Sequence, residues 1–350
     1  MPIIVFLHSC RIDFTMKRYF TIPVFIPEKA CPFRCIYCNQ FAIADRPAPP
    51  SPEEVEKSIN RYLTTIPSDA YTRIAFFGGS FTGMSMEEQN LYLDVALPYI
   101  ERGQVREIQL STRPDYINPA ILENLKKYRV KIIELGAQSL DEEVLLFSGR
   151  RHTAEDVRNA SAMIIGNGFE LGLQMMIGLP KDTLEKSLYT AGQIVKTGAR
   201  YTRIYPTLVI KDTPLEEMYH SGNYSPLSLA EAVEWTKAIS RLFDDAHVQI
   251  LRTGLHPSEG LISGNGLVDG PFHVSFKELV STSLWRDILA GKIKNKSGKE
   301  LAIHVAPNQY NAAIGYGARN KKEYLEKFGK VVFKKDESLT GYECAIEITT

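Results

Sequence analysis

From Thr21 to Thr207, short continuous apolar runs alternate with longer stretches whose apolar residues recur every three or four positions. A continuous apolar run fits a strand covered on both faces, and the 3.6-residue period fits a helix lying on such a sheet. The pattern predicts strands at Ile22–Ile26, Arg73–Phe77, Glu107–Ser111, Ile132–Leu135, Leu171–Ile177 and Thr202–Tyr205. It predicts helices at Met86–Ile100, Pro119–Tyr128, Ala154–Gly166 and Leu184–Thr197. Another helix starts at Ser51-Pro52-Glu53-Glu54, where a cap, a first-turn proline and two acids precede a run towards Leu63. Six strand–helix repeats predict an α/β fold, a parallel sheet curled into a partial (β/α)6 TIM-like barrel. Function is then expected at the strand C-terminal ends.

Past the repeats, a helix is predicted over Ser228–Asp245, then a Gly-rich loop at Glu259–Gly270 and a helix at Phe276–Ala290. Gly291–Gly298 reads as a basic linker. The expected organisation is a core barrel with flanking helices over 16–256, a connecting region over 257–298, and a small basic α+β unit over 299–350. Residues 1–15 read as an upstream extension, because Met16-Lys17-Arg18 is the more natural start.

The chain has 350 residues, 44% of them hydrophobic, enough for a full barrel core and an appendage. No apolar run approaches the ~20 residues of a membrane span, and Met1–Phe6 lacks the basic region of a signal peptide. A cytoplasmic protein with no membrane partner is expected. The net charge of zero hides an asymmetry: Gly291–Lys335 holds eleven basic and three acidic residues. That excess suggests a polyanion-binding tail on an acidic body, or else a solvated lysine-rich surface.

Cys31-Pro32-Phe33-Arg34-Cys35-Ile36-Tyr37-Cys38 is a C-x3-C-x2-C cluster on the loop after the first strand. Three thiolates this close can reach three corners of an iron–sulfur cube. A [4Fe–4S] cluster normally takes four cysteines, and Cys10 and Cys344 are far away in sequence. The fourth iron would be open to a small molecule, which is a catalytic arrangement. Zinc sites usually pair two separated ligand pairs, and no second pair exists here. Inert buried thiols are the other alternative, and Cys344 reads as one.

This spacing resembles the radical S-adenosylmethionine (SAM) superfamily. The resemblance implies that Cys31, Cys35 and Cys38 bind a [4Fe–4S] cluster, with the open iron holding the amino and carboxylate groups of SAM. The reduced cluster would split SAM into methionine and a 5′-deoxyadenosyl radical that abstracts hydrogen from substrate. Ala75-Phe76-Phe77-Gly78-Gly79 then stands where the superfamily meets the methionine end of SAM, through Gly78 and Gly79.

Thr112–Tyr116, Glu134–Ser139, Arg150–Thr153, Met175–Pro180 and Tyr205–Ile210 together resemble the core of the Elongator catalytic-subunit family, over roughly Phe20 to His256. A looser similarity runs to oxygen-independent coproporphyrinogen oxidases. The resemblance implies that Gln138 and Arg150 contact the ribose or carboxylate of SAM, with Gln174 where the oxidases place an acidic SAM contact. Ser111 replaces a glutamate of relatives and so removes a carboxylate near SAM. Arg113 and Asp115 are either site residues or ordinary loop caps. The Elongator subunit also carries an acetyltransferase domain, and no Gly-rich acetyl-CoA loop follows the core here, so a short form without acetyl transfer is expected.

In the tail, Leu301–Val305 and Val331–Phe333 read as strands around two short helices, the first over Asn308–Ile314. Ile314-Gly315-Tyr316-Gly317-Ala318-Arg319-Asn320-Lys321 at the helix junction is reminiscent of a KH RNA-binding core, whose GxxG loop clamps nucleic-acid backbone. Ala318 occupies the last glycine position, while Arg319, Lys321 and Lys322 would attract phosphate. The alternative is a small cap closing the open side of the barrel. The expected function is a radical SAM enzyme acting on an unidentified substrate, with tRNA or another RNA as one candidate. The alternatives are a small molecule such as a porphyrin precursor, or a non-catalytic RNA-binding iron–sulfur protein. The expected partners are SAM, a reduced flavodoxin- or ferredoxin-type electron donor, and RNA. His256, His273 and Tyr205 are either substrate contacts or structural.

Overall fold

The computed structural model describes residues 19–27, 35–40, 48–256 and 258–349. Strands β1 (Tyr19–Ile26), β2 (Tyr71–Gly78), β3 (Glu107–Thr112), β4 (Val130–Gln138), β5 (Glu170–Ile177) and β6 (Tyr201–Pro206) pair in parallel in chain order. A two-residue strand, β7 (Val209–Ile210), lies off this sheet, and β8 (Gln249–Thr253) joins it beside β6. The sheet therefore has seven strands, one more than the repeats predict. No residue of β8 is fully buried, so this edge strand lacks the continuous apolar run that marks the other six. The predicted extension over residues 1–15 lies outside the described residues.

Each strand places apolar side chains on one face and polar ones on the other. Ile74, Phe76, Ile108, Leu110, Leu173 and Met175 are buried against helices such as Pro52–Leu63, Met86–Glu101 and Ala154–Gly166. The lumen face instead carries Arg73, Gln109, Glu134, Gln174 and Arg203, joined in one hydrogen-bonded set. The predicted caps are present: Ser51 and Thr153 both form reciprocal capping boxes, which fix where their helices begin. Two short helices, Glu142–Phe147 and Pro214–His220, were not predicted, because fewer than two turns carry no readable period. Among the described residues no helix is long and apolar enough to cross a membrane.

Strand β9 (Leu267–Asp269) pairs antiparallel with β7. The tail forms a three-stranded sheet from β10 (Glu300–Val305), β11 (Lys330–Lys335) and β12 (Cys344–Thr349), with β10 in the centre. Strands β10 and β11 are parallel, and β12 runs antiparallel on the other flank. The sequence pattern misses β12 because its residues alternate between exposed and half-buried. Helix Phe276–Ile293 bridges the units: Phe276, Leu279 and Val280 belong to the barrel core, and Trp285, Leu289 and Ile293 to the tail core.

The turn that resembles a KH clamp is packed against this bridging helix. A Cβ on Gly315, whose φ is +86°, would lie 2.9 Å from Thr282 Cγ2. Tyr316 N donates to Thr282 Oγ1 at 2.8 Å, and Asn320 Nδ2 donates to the carbonyls of Thr282 and Ala313 at 3.1 Å each. Gly315 serves this close packing, and the amide of Tyr316 is already taken. Arg319 and Lys322 are exposed, and Lys321 is half-buried.

Candidate active site

The cysteine loop leaves the C-terminal end of β1. Cys31 lies outside the described residues; Cys35 is buried and Cys38 half-buried. The backbone around them is tied to segments far away in sequence. Cys38 N donates to Cys35 O at 3.1 Å, Ile36 N to Ser148 O at 3.3 Å, and Leu215 N to Ile36 O at 2.9 Å. Asn39 Nδ2 reaches Lys211 O at 3.0 Å, and Gln40 Nε2 reaches Gly78 O at 2.8 Å. Gly149 adopts a φ of +68°, and a Cβ there would lie 3.1 Å from Ile36 Cγ2.

The double glycine brings the end of β2 against this loop. Gly79 N donates to Ile26 O at 2.7 Å. Gly78 has a φ of +111°, and a Cβ on it would lie 2.5 Å from that same carbonyl oxygen. Only glycine permits this approach.

Gln138 and Arg150 arrive from the end of β4 and the segment after it. Arg150 Nη1 donates to Cys35 Sγ at 3.2 Å, and its Nη2 donates to Gly136 O. At Gln138 the strand register shifts and φ reaches +64°. Its Oε1 and the Nε of Arg150 are buried with no partner among the described residues. Buried polar atoms are nearly always satisfied, so these two could take polar groups of a ligand. Tyr37, two residues from Cys35, has its hydroxyl pushed well up, first by burial and then by the Cys35 charge.

His152 supports the same strand end and was not singled out from the sequence. Its Nε2 donates to Ala137 O at 3.2 Å, and its Nδ1 is buried without a partner among the described residues. Burial, then Arg150 and Arg113, pull its pKa down to about 3 from an ordinary 6.5. The folded protein therefore binds this proton less readily than the unfolded chain. Its contribution to stability is full above pH 6.5 and is lost as pH falls towards 3, with a slope of up to about 1.4 kcal/mol per pH unit. Urea titrations across this window are expected to show a shallower pH slope for His152→Gln than for wild type. Equal slopes would contradict the assignment. Arg113, also buried, is held by both oxygens of Asp115 at 2.8 and 2.9 Å.

Below the site, Glu134 is the hub of the lumen. It is 1% exposed and accepts from Gln109 Nε2, from Gln174 Nε2 at 3.1 Å, and from Arg203 Nε and Nη2 at 2.5 and 2.9 Å. Arg203 also lies 4.7 Å above the Phe77 ring. Gln174 donates to Ser111 Oγ at 3.0 Å as well, so the two predicted departures from relatives bond each other. The sequence signal for the hub was a charged residue inside otherwise apolar strands. Of the predicted site residues, Cys35, Cys38, Gly78, Gly79, Gln138 and Arg150 gather at one end of the sheet. Gln174 lines the adjoining lumen, and Arg319, Lys321 and Lys322 belong to the separate tail unit.

Comparison with known proteins places this arrangement. The Radical SAM superfamily description matches residues 26–191, and the Radical_SAM C-terminal domain matches 199–286. The tRNA uridine(34) acetyltransferase of Methanocaldococcus jannaschii is 27% identical over 181 residues, 46% of this chain and 34% of that protein. Elongator complex protein 3 of Schizosaccharomyces pombe is 27% identical over 210 residues, 55% of this chain and 38% of that protein. The chain thus spans little more than a third of the length of these relatives. The archaeal Methanocaldococcus infernus Elp3 with an N-terminal deletion has the same fold, with a TM-score of 0.62 at 20% identity over 86% of this chain and 69% of that one. The superfamily's cofactors are a [4Fe–4S] cluster and SAM, and the thiols beside the unpartnered Gln138 Oε1 and Arg150 Nε fit such groups. With its two matched stretches, its parallel half-barrel and this loop, the chain is an enzyme of the radical SAM superfamily, similar in its core to Elongator complex protein 3.

Proposed function

We propose that this enzyme reductively cleaves SAM at a [4Fe–4S] cluster held by Cys31, Cys35 and Cys38 and abstracts hydrogen from an RNA, with tRNA the first candidate. One observation carries the chemistry: Gly78–Gly79 and Gln138 from two strand ends, with Arg150 from the segment after β4, converge on the loop bearing Cys35 and Cys38. When bound, the reduced cluster supplies the electron that breaks a carbon–sulfur bond of SAM. A reduced flavodoxin- or ferredoxin-type protein is the expected electron source. The chain's own residues bind and orient. Arg150 keeps a positive charge against Cys35, and Gly78 and Gly79 leave backbone exposed where a side chain would intrude. Gln138 offers a buried amide oxygen to a donor on SAM, and Gln174, held by Ser111 and Glu134, shapes the wall beside it.

The RNA substrate is supported by the names of the relatives, which include tRNA uridine(34) acetyltransferases. It is also supported by the lysine-rich tail, where Arg319, Lys321 and Lys322 form one stretch of the basic surface. The partial coverage of those relatives keeps acetyl transfer out of the proposal. With reconstituted protein, dithionite and SAM, adding bulk tRNA is expected to raise 5′-deoxyadenosine formation several-fold, and nuclease-digested tRNA is not. A rise with a porphyrin precursor and none with tRNA would overturn the RNA reading.

A further inference from the structure

Cations of the lumen are matched by carboxylates until the open edge of the sheet. Arg73 pairs with Glu107 at 2.9 Å, and Arg203 with Glu134 at 2.5 Å. Arg252 is the register partner of Arg203 on the neighbouring strand β8, so it shares the lumen face. It is half-buried, and among the described residues it pairs with no carboxylate. Its Nε donates to Gly254 O at 3.2 Å, and its Nη2 donates to His256 Nδ1 at 3.0 Å. Accepting at Nδ1 requires a neutral ring, and burial with the adjacent Arg252 charge holds His256 below the ordinary histidine pKa. Burial likewise works against the charge on Arg252 itself, with Tyr205 opposing that effect and Arg203 adding to it.

A guanidinium that is partly desolvated, beside a second guanidinium and with no carboxylate partner among the described residues, is costly in the free protein. An arriving oxyanion removes that cost. Arg252 has five N–H donors and spends one on Gly254 and one on His256, so its planar fork retains capacity for two anionic oxygens. We propose that Arg252, oriented by His256, anchors a phosphate of the substrate at the β8 edge of the lumen. The substrate's identity rests on the RNA reading above, and the anchor rests on the surroundings of Arg252.

Two binding measurements on the reconstituted full chain separate these. A fluorescent tRNA anticodon stem–loop is titrated by anisotropy across salt concentrations, and uridine 5′-monophosphate is followed by saturation-transfer NMR with uridine as control. Arg252→Gln is expected to weaken stem–loop binding about five- to tenfold and to lower the slope of log affinity against log salt by about one. It is also expected to abolish the transfer to uridine 5′-monophosphate, while Arg252→Lys keeps the salt slope. A folded Arg252→Gln with wild-type affinity, slope and nucleotide signal overturns the anchor, even where RNA binds. Arg252-dependent nucleotide binding without stem–loop binding keeps the anchor and overturns the RNA reading. A wild-type protein that binds neither probe overturns both. Displacement of the nucleotide by succinate and not by inorganic phosphate would show a carboxylate site and overturn the phosphate assignment.

Discussion

Glu134→Ala is expected to lower folding stability by about 3–5 kcal/mol, because it strands a buried guanidinium. The Arg203 side chain is 11% exposed and gives two donors to Glu134, which is also held by Gln109 and Gln174. Removing the carboxylate leaves all three donor groups short of an acceptor in the middle of the lumen. Arg203→Met alone should cost a similar amount, since Glu134 is then the unpaired charge. The double variant Glu134→Ala/Arg203→Met should recover at least half of the loss, since it leaves no charge unpaired. Urea unfolding at pH 7 reads all three. A single-variant cost below about 1 kcal/mol would mean that the pair is solvated like a surface salt bridge.

Gly78→Ala is expected to cost about 2–4 kcal/mol and to weaken SAM binding more than tenfold. Two causes act together. Alanine is strained at a φ of +111°, and its Cβ would sit 2.5 Å from Ile26 O. Relief requires β1 and β2 to part where Ile26 pairs with Gly78, which is also where the cysteine loop departs. Gly103→Ala is the control: its φ is +70°, but nothing lies within 4 Å of the added methyl. It should lose about 1 kcal/mol and keep wild-type SAM affinity. Thermal unfolding and equilibrium binding compare the two, and equal losses at both positions would contradict the close-approach explanation.

How far the sequence could be read followed burial. The six strands of the repeats were legible because their apolar runs are nearly continuous, as in Ile74–Phe77. The start of helix Ala154–Gly166 could be placed because Thr153 and Asp156 form a capping box. Strands β8 and β12 were not legible, since edge strands with half-buried residues carry no such run. The cysteine spacing and the double glycine could be singled out directly, because few other arrangements need those residues at those intervals. Glu134, Arg203 and Arg252 could only be noticed as charges within strands; their pairing, or its lack, depends on register across three strands. The Gly315-Tyr316-Gly317 turn shows the opposite hazard. A glycine that permits phosphate to approach equally permits a helix to approach, and at Gly315 Thr282 occupies that space.

Cleavage of SAM at the cysteine loop is tested most directly by quantifying 5′-deoxyadenosine from anaerobically reconstituted, dithionite-reduced protein, with Cys35→Ala beside it. The predicted result is product that requires both dithionite and SAM and that is absent from Cys35→Ala. A cluster-loaded wild type that binds SAM without forming 5′-deoxyadenosine, or a Cys35→Ala variant that forms it at the wild-type rate, would contradict radical SAM catalysis at this loop.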